Sequence, residues 1–319
     1  MIKSAMKAVL GSAAALGLAL ALGIPAEAGD SEACKTVRFS DVGWTDITAT
    51  TATATVILEA LGYEPDVQVL SVPVTYRSLK NKDIDVFLGN WMPTMEADIA
   101  PYREDASVED LGVNLEGAKY TLAVPKYTHE AGLKSFSDIS KFKEELGGQI
   151  YGIEPGNDGN RLILDMIEKD TFGLGSFELV ESSEQGMLSA VARATRSNEP
   201  VVFLGWEPHP MNSNFELAYL EGGDDVFGPN LGGATVHTNV RAGYLAECPN
   251  VGQFLKNLKF TLPMENQIMG AILDDKTEAN EAARNWLKQN PDVLDSWLEG
   301  VTTFDGGDAK AAVKEALGA

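Results

Sequence analysis

The chain has 319 residues, with 47 acidic against 25 basic side chains and a formal net charge of −22. So acidic a surface excludes a nucleic-acid partner, which needs a basic face; it serves mainly solubility, with a weak long-range pull on cations. A hydrophobic share of 44% with five tryptophans supports ordinary globular cores, and the length predicts two domains rather than one.

Residues 1–28 read as a secretory leader. Lys3 and Lys7 give a positive start, Val9 to Ile24 is apolar, and Ala26-Glu27-Ala28 is a small-residue cleavage signal. The mature chain is expected to begin at Gly29 and to be exported and soluble, because no later run is long and apolar enough to span a bilayer. Cys34 lies too far beyond the apolar region to be a lipoprotein cysteine. Cys34 and Cys248 are the two cysteines. In an oxidising compartment they most simply form one disulfide, closing a loop that stabilises by up to about 4–5 kcal/mol in the chain-entropy model; two buried free thiols are the alternative. A metal is not expected, since His129, His209 and His237 form no ligand-spaced cluster with the cysteines, and nothing in the sequence asks for a cofactor.

Val37-Arg38-Phe39 predicts a short strand, broken by Gly43, with a helix from about Ile47 to Leu61 and Gly62 as its C-terminal stop. Its Thr/Ala richness is poor helix chemistry, yet Val56, Ile57, Leu58 and Leu61 give it an apolar side. A second strand is expected over 67–72, a short helix over 75–80 and a third strand over 83–88. This alternation implies parallel pairing in an α/β layer. Residues 100–115 are polar and read as irregular, with a domain crossover near Gly112 to Ala118. The second unit has predicted strands over 119–125, 149–153, 177–180 and 201–204, and helices near 137–139, 161–169 and 184–193. Gly222 to Gly233 reads as a return linker, and Thr235 to Ala242 as a strand rejoining the first unit. The rest is mainly helical: 251–259, 264–273, 276–288 and 291–300. The expected fold is therefore α/β and two-lobed, each lobe a mixed sheet flanked by helices, with residues 29–115 and 232–319 in lobe I and 116–231 in lobe II.

Three tryptophans share a setting. Trp44 follows Asp41-Val42-Gly43, Trp91 follows Phe87-Leu88-Gly89-Asn90, and Trp206 follows Phe203-Leu204-Gly205. A strand, a glycine turn and then a large aromatic puts the ring at the C-terminal end of a strand, where open α/β sheets bind ligands. Tyr120 opens a strand of the second unit. If the lobes face each other, these four rings close a box. Such a box suits a quaternary ammonium, a cation that donates no hydrogen bonds but is attracted to ring faces at about 0.5–2 kcal/mol each. Single tryptophans are ordinarily core, and Trp286 and Trp297, inside helical runs beside Leu287 and Leu298, keep that assignment. Asp46 is either a helix N-cap or an acceptor for a ligand hydroxyl. Asn157, after Pro155-Gly156, either makes the turn or donates to a ligand. Gly156 and Gly159 do not make a phosphate loop, since no Lys-Ser/Thr follows. Glu207-Pro208-His209 has no accompanying nucleophile: G-x-S-x-G and H-E-x-x-H are both absent.

Five separated motifs carry a resemblance across essentially the whole mature chain: Gly43-Trp44-Thr45-Asp46, Asp85 to Pro93, Tyr120 to Pro125, Gly152 to Gly156, and Gly205 to His209, with a sixth match at Asn285 to Val293. They resemble the glycine betaine/choline substrate-binding proteins of bacterial ABC transporters, the choline-binding members above all. The resemblance implies a class II periplasmic binding protein that closes like a flytrap, acts as a monomer and hands its ligand to a membrane permease. It implies an aromatic box from Trp44, Trp91, Tyr120 and Trp206, with the choline alcohol held at Asp46 and Asn157, and a Cys34–Cys248 disulfide.

Charge then separates the candidate ligands. A betaine carboxylate would meet the Asp46 charge, whereas a choline hydroxyl would satisfy it. Choline is thus expected over glycine betaine, with acetylcholine weaker because it lacks the hydroxyl proton. The alternatives are a betaine/proline betaine binder for osmoprotection and an exported choline-ester hydrolase, which would need a nucleophile–base pair that the sequence does not offer.

Overall fold

The computed structural model describes residues 29–318, besides Met1; the leader and its cleavage signal lie outside the described residues. Nine strands form one continuous mixed sheet. They are β1 (Thr36–Asp41), β2 (Glu64–Val69), β3 (Val86–Met92), β4 (Val108–Pro125), β5 (Gln149–Tyr151), β6 (Glu178–Val180), β7 (Phe203–Glu207), β8 (Leu217–Tyr219) and β9 (Gly233–Arg241). β1 pairs in parallel with β2 and β3, as the alternation of strand and helix requires. β9 returns antiparallel between β3 and β4, while the far end of β4 pairs antiparallel with β7 and β8. One half of the molecule is thus built on β1–β3 and β9, the other on β5–β8, and β4 runs through both.

The longer helices are α1 (Thr45–Ala60), α2 (Val72–Asn81), α3 (Glu96–Glu104), α4 (Asp158–Glu168), α5 (Glu184–Ser197), α6 (Pro249–Asn257), α7 (Leu262–Leu273), α8 (Ala279–Gln289) and α9 (Ala309–Leu317). α1 explains its own composition. It is buried nearly all round, packed between the sheet and α7 and α8, so small residues are what fits. Three of its buried threonine hydroxyls take acceptors from the helix backbone: Thr50 donates to the Ile47 carbonyl at 3.2 Å, Thr53 to that of Ala49 at 2.8 Å and Thr55 to that of Ala52 at 3.0 Å.

Residues 100–115 are not irregular: α3 occupies the start and β4 begins at Val108. The polar sequence hid a strand whose pairing with β9 is interrupted three times, between Asp110 and Val113, Val113 and Leu115, and Leu115 and Ala118. Such bulges break the alternation by which a strand is read. The two cysteines are joined as a disulfide, Cys34–Cys248. Trp297 is buried in the core, as expected, and Trp286 on α8 packs against it from a partly buried position.

Candidate functional site

A cavity lies between the two halves, lined by Trp44, Asp46, Trp91, Tyr120, Ile153, Asn157, Asp158 and Trp206. All six residues expected from the sequence are brought together there. Trp44 comes from the loop after β1, where Gly43 makes the turn. Trp91 and Trp206 differ from the sequence reading. They are strand residues, and Gly89 and Gly205 lie inside β3 and β7 rather than in turns. These glycines are needed for close approach: a Cβ at Gly89 would sit 2.8 Å from the Ile47 side chain, and one at Gly205 would sit 2.8 Å from the Ala123 Cβ.

Three of the four rings pack against one another. Tyr120 stands 5.9 Å from Trp91 at 59° and 6.2 Å from Trp206 at 84°, centroid to centroid. Three of the four rings are fixed by a polar contact at the rim, while Trp206 is held by packing against His209 and Tyr120. The Trp91 indole N–H donates to Asp46 Oδ2 at 3.1 Å, the Trp44 indole N–H to Glu154 Oε1 at 2.9 Å, and the Tyr120 hydroxyl to Asn157 Oδ1 at 2.9 Å. A side chain at Gly159 would collide with that hydroxyl. With edges anchored in this way, faces are left for the cavity.

Asp46 is not the N-cap of α1; Trp44 holds that position and caps nothing with its side chain. Asp46 is 1% exposed, and its Oδ1 has no hydrogen-bond partner. Burial, reinforced by the nearby Glu184 charge, pushes its carboxyl up to about 8 against the pull of helix amides and the Trp91 N–H. Asn157 does cap α4, accepting from the Asn160 amide at 3.1 Å. Its Oδ1 is thereby used twice. Its amide donates once, to Asp158 Oδ1 at 3.0 Å, so a second amide hydrogen remains for a ligand. Asn157 thus makes the turn into α4 and keeps one amide hydrogen that no residue takes.

Asp158 was missed in the sequence, where it reads as one more residue of a Gly/Asp turn. It is fully buried and lines the cavity, with Oδ2 unpartnered. Burial, with the Asp98 charge adding to it, raises its carboxyl to about 6. Burial likewise raises Glu154 to about 7. Behind Asp46, burial and the Asp46 charge itself hold Glu265 far above the usual carboxylate range. No Lys, Arg or His lines the cavity. The arrangement offers aromatic faces, two carboxyl oxygens without a hydrogen-bond partner and one amide donor, and a cation placed among them would favour ionisation of the raised carboxyls. It lacks a nucleophile paired with a base, and no group of acidic, His or Cys side chains among the described residues could hold a metal.

The model for the substrate-binding domain of ABC-type glycine betaine transport systems matches residues 35–289. The chain belongs to that family. Its members are substrate-binding proteins of two-lobed fold that serve ABC importers. The chain is 72% identical to an ABC-transporter choline-binding protein solved in complex with choline, with a TM-score of 0.89 over 90% of this chain and 100% of that one. The unliganded, semi-closed form of an ABC-transporter choline-binding protein, also 72% identical and with the same coverage, gives 0.83. The lactococcal OpuAC, closed around glycine betaine, is 26% identical over 82% of this chain and 98% of its own, with a TM-score of 0.74.

Proposed function

We propose that this family member captures choline in the periplasm and presents it to the permease of an ABC transporter. The observation that carries the reading is the buried, unpartnered Asp46 Oδ1 in an aromatic-walled cavity with no cationic side chain. Water is a poor occupant of such walls, and a carboxylate left there alone is costly. Choline answers each feature. Its trimethylammonium group meets the faces of Trp44, Trp91, Tyr120 and Trp206. Its hydroxyl donates to Asp46 Oδ1 and accepts from the remaining Asn157 amide hydrogen. Its positive charge draws the raised carboxyls of Asp46 and Asp158 towards their ionised forms and is offset by them.

Glycine betaine shares the ammonium head but brings a carboxylate towards two carboxylates, with one amide donor to receive it. It is the weaker ligand on this reading, and acetylcholine, lacking the hydroxyl proton, is weaker than choline too. The 72% identity to a protein solved with choline supports the same preference. The lobes divide at 115/116 and 231/232, with β4 and β9 as the connections. The protein works as a monomer, exported by the leader in residues 1–28, and it binds without turnover.

Titration of the purified mature protein with choline, glycine betaine and acetylcholine, followed by tryptophan emission, tests this reading. Choline-selective saturation is expected, with no ester cleavage of acetylcholine. Betaine binding as tight as choline would overturn the assignment of the polar end. Silence towards all three would make the aromatics structural.

A further inference from the structure

The N-terminus of α1 carries cage residues Trp44 and Asp46 but has no capping side chain of its own. Its first amide finds an acceptor in the other half of the molecule. Glu184, the first residue of α5 and 2% exposed, takes the Thr45 backbone N–H on Oε2 at 2.8 Å and the Thr45 hydroxyl on Oε1 at 2.5 Å. A third donor comes from within its own half. The Met211 backbone N–H donates to His209 Nδ1 at 2.9 Å, so the ring proton sits on Nε2 and faces Glu184 Oε1 at 3.2 Å. The same His209 ring packs edge-on against Trp206, centroids 4.8 Å apart. A continuous path thus joins two opposite cage walls: Trp206, His209, Glu184, Thr45, Trp44.

We infer that Glu184 is the latch of the closed form, a positioning residue that caps α1 across the cleft when the halves meet and thereby holds Trp44 and Trp206 around the ligand. It touches no ligand. A carboxylate at a helix N-terminus, desolvated and accepting charge-assisted hydrogen bonds, is worth more than a neutral cap. Among the described residues three other side-chain hydrogen-bonding contacts join the halves: Trp44 to Glu154, Arg161 to Asp98 and the Thr94 carbonyl, and the exposed Asn214 to Asp274. The Arg161–Asp98 pair is partly exposed and is screened accordingly, whereas Glu184 is buried. When the halves separate, Glu184 and the Thr45 amide both return to water. The latch therefore acts on ligand release more than on capture or on the stability of the open protein. The inference rests on the reading of the cleft as a closing choline site.

The test compares wild type, Glu184→Gln and Thr45→Val, singly and together, by stopped-flow tryptophan fluorescence with choline and by thermal melts with and without it. Glu184→Gln is expected to speed choline dissociation about 10- to 100-fold while changing association by less than about threefold. The unliganded melting temperature should stay within about 2 °C and the choline-induced rise should shrink. Thr45→Val should act in the same direction but less, and add little to Glu184→Gln, since both remove one contact. Unchanged dissociation in Glu184→Gln, an equal loss of unliganded stability, or fully additive effects would each overturn the latch while wild type still binds choline. Absence of a wild-type choline response would overturn the substrate reading, and the inference with it.

Discussion

Two buried aspartates of the same half make opposite use of their surroundings. Asp85, just before β3, is 2% exposed, and Asp46, at the start of α1, is 1% exposed. Asp85 accepts from the Arg38 amide and guanidinium and from the Arg241 guanidinium, at 2.6–2.9 Å. Burial alone would raise its carboxyl, but those hydrogen bonds outweigh it and hold Asp85 below the usual carboxylate range. Asp46 has one indole N–H, one orphaned oxygen and a carboxyl pushed up to about 8. The first site is completed by the protein itself. On the proposed reading the second is completed by the arriving cation, and that difference marks structure apart from function better than burial or charge alone.

Breaking the completed site should cost the fold. Asp85→Ala strands Arg241 beside half of its partners and is expected to lower unfolding free energy by about 3–5 kcal/mol in chemical denaturation, leaving choline affinity of the folded protein unchanged. A small stability loss, or a loss of affinity instead, would erase the contrast. Removing a wall of the incomplete site should cost the ligand. Trp206→Ala is expected to weaken choline about 100-fold by calorimetry, from one lost ring face and its apolar contact, with a melting temperature close to wild type.

Asp46→Asn sharpens the comparison in two ways. Choline affinity should fall about tenfold or more, and the choline-to-betaine ratio should narrow, because the repulsion of a carboxylate ligand goes with the charge; an unchanged ratio would leave Asp46 a bystander. The other effect is on the empty protein. A carboxyl raised from its ordinary value near 4 to about 8 contributes stability that is fully present below pH ~4 and is lost as pH rises through ~8. Unliganded Asp46→Asn, which cannot titrate, should therefore gain on wild type by about 4 kcal/mol between pH 5 and pH 8.5, from the roughly three pH units below the raised value. Melts at the two pH values check this, and a pH-independent difference would contradict it.

The sequence makes the box legible because large aromatics near glycines at strand ends have no core periodicity to serve, and Trp44, Trp91, Tyr120 and Trp206 all meet at the cavity. The glycine logic holds at one position of three: Gly43 turns the chain, whereas Gly89 and Gly205 admit neighbouring side chains to a strand. Asp158 was hidden because one residue after a capping Asn looks like turn chemistry, and only three-dimensional placement shows its oxygen reaching the cavity. Glu184 was hidden more deeply. A glutamate opening a helix reads as local dipole chemistry, and its partner Thr45 lies 139 residues away. The alternation that reveals strands failed in β4 because its pairing with β9 shifts three times. Local patterns thus show faces and turns, while contacts across the cleft leave no mark in sequence spacing.

The central claim is that a cation completes the cavity. The most direct measurement is calorimetric titration with choline and with its uncharged carbon isostere, 3,3-dimethylbutan-1-ol, which keeps the shape and the hydroxyl. Choline is expected to bind about 100-fold tighter or more, through the ring faces and the two buried carboxylates. An isostere that binds within about threefold of choline would mean that shape and hydroxyl suffice, and the charge-completion account would be wrong.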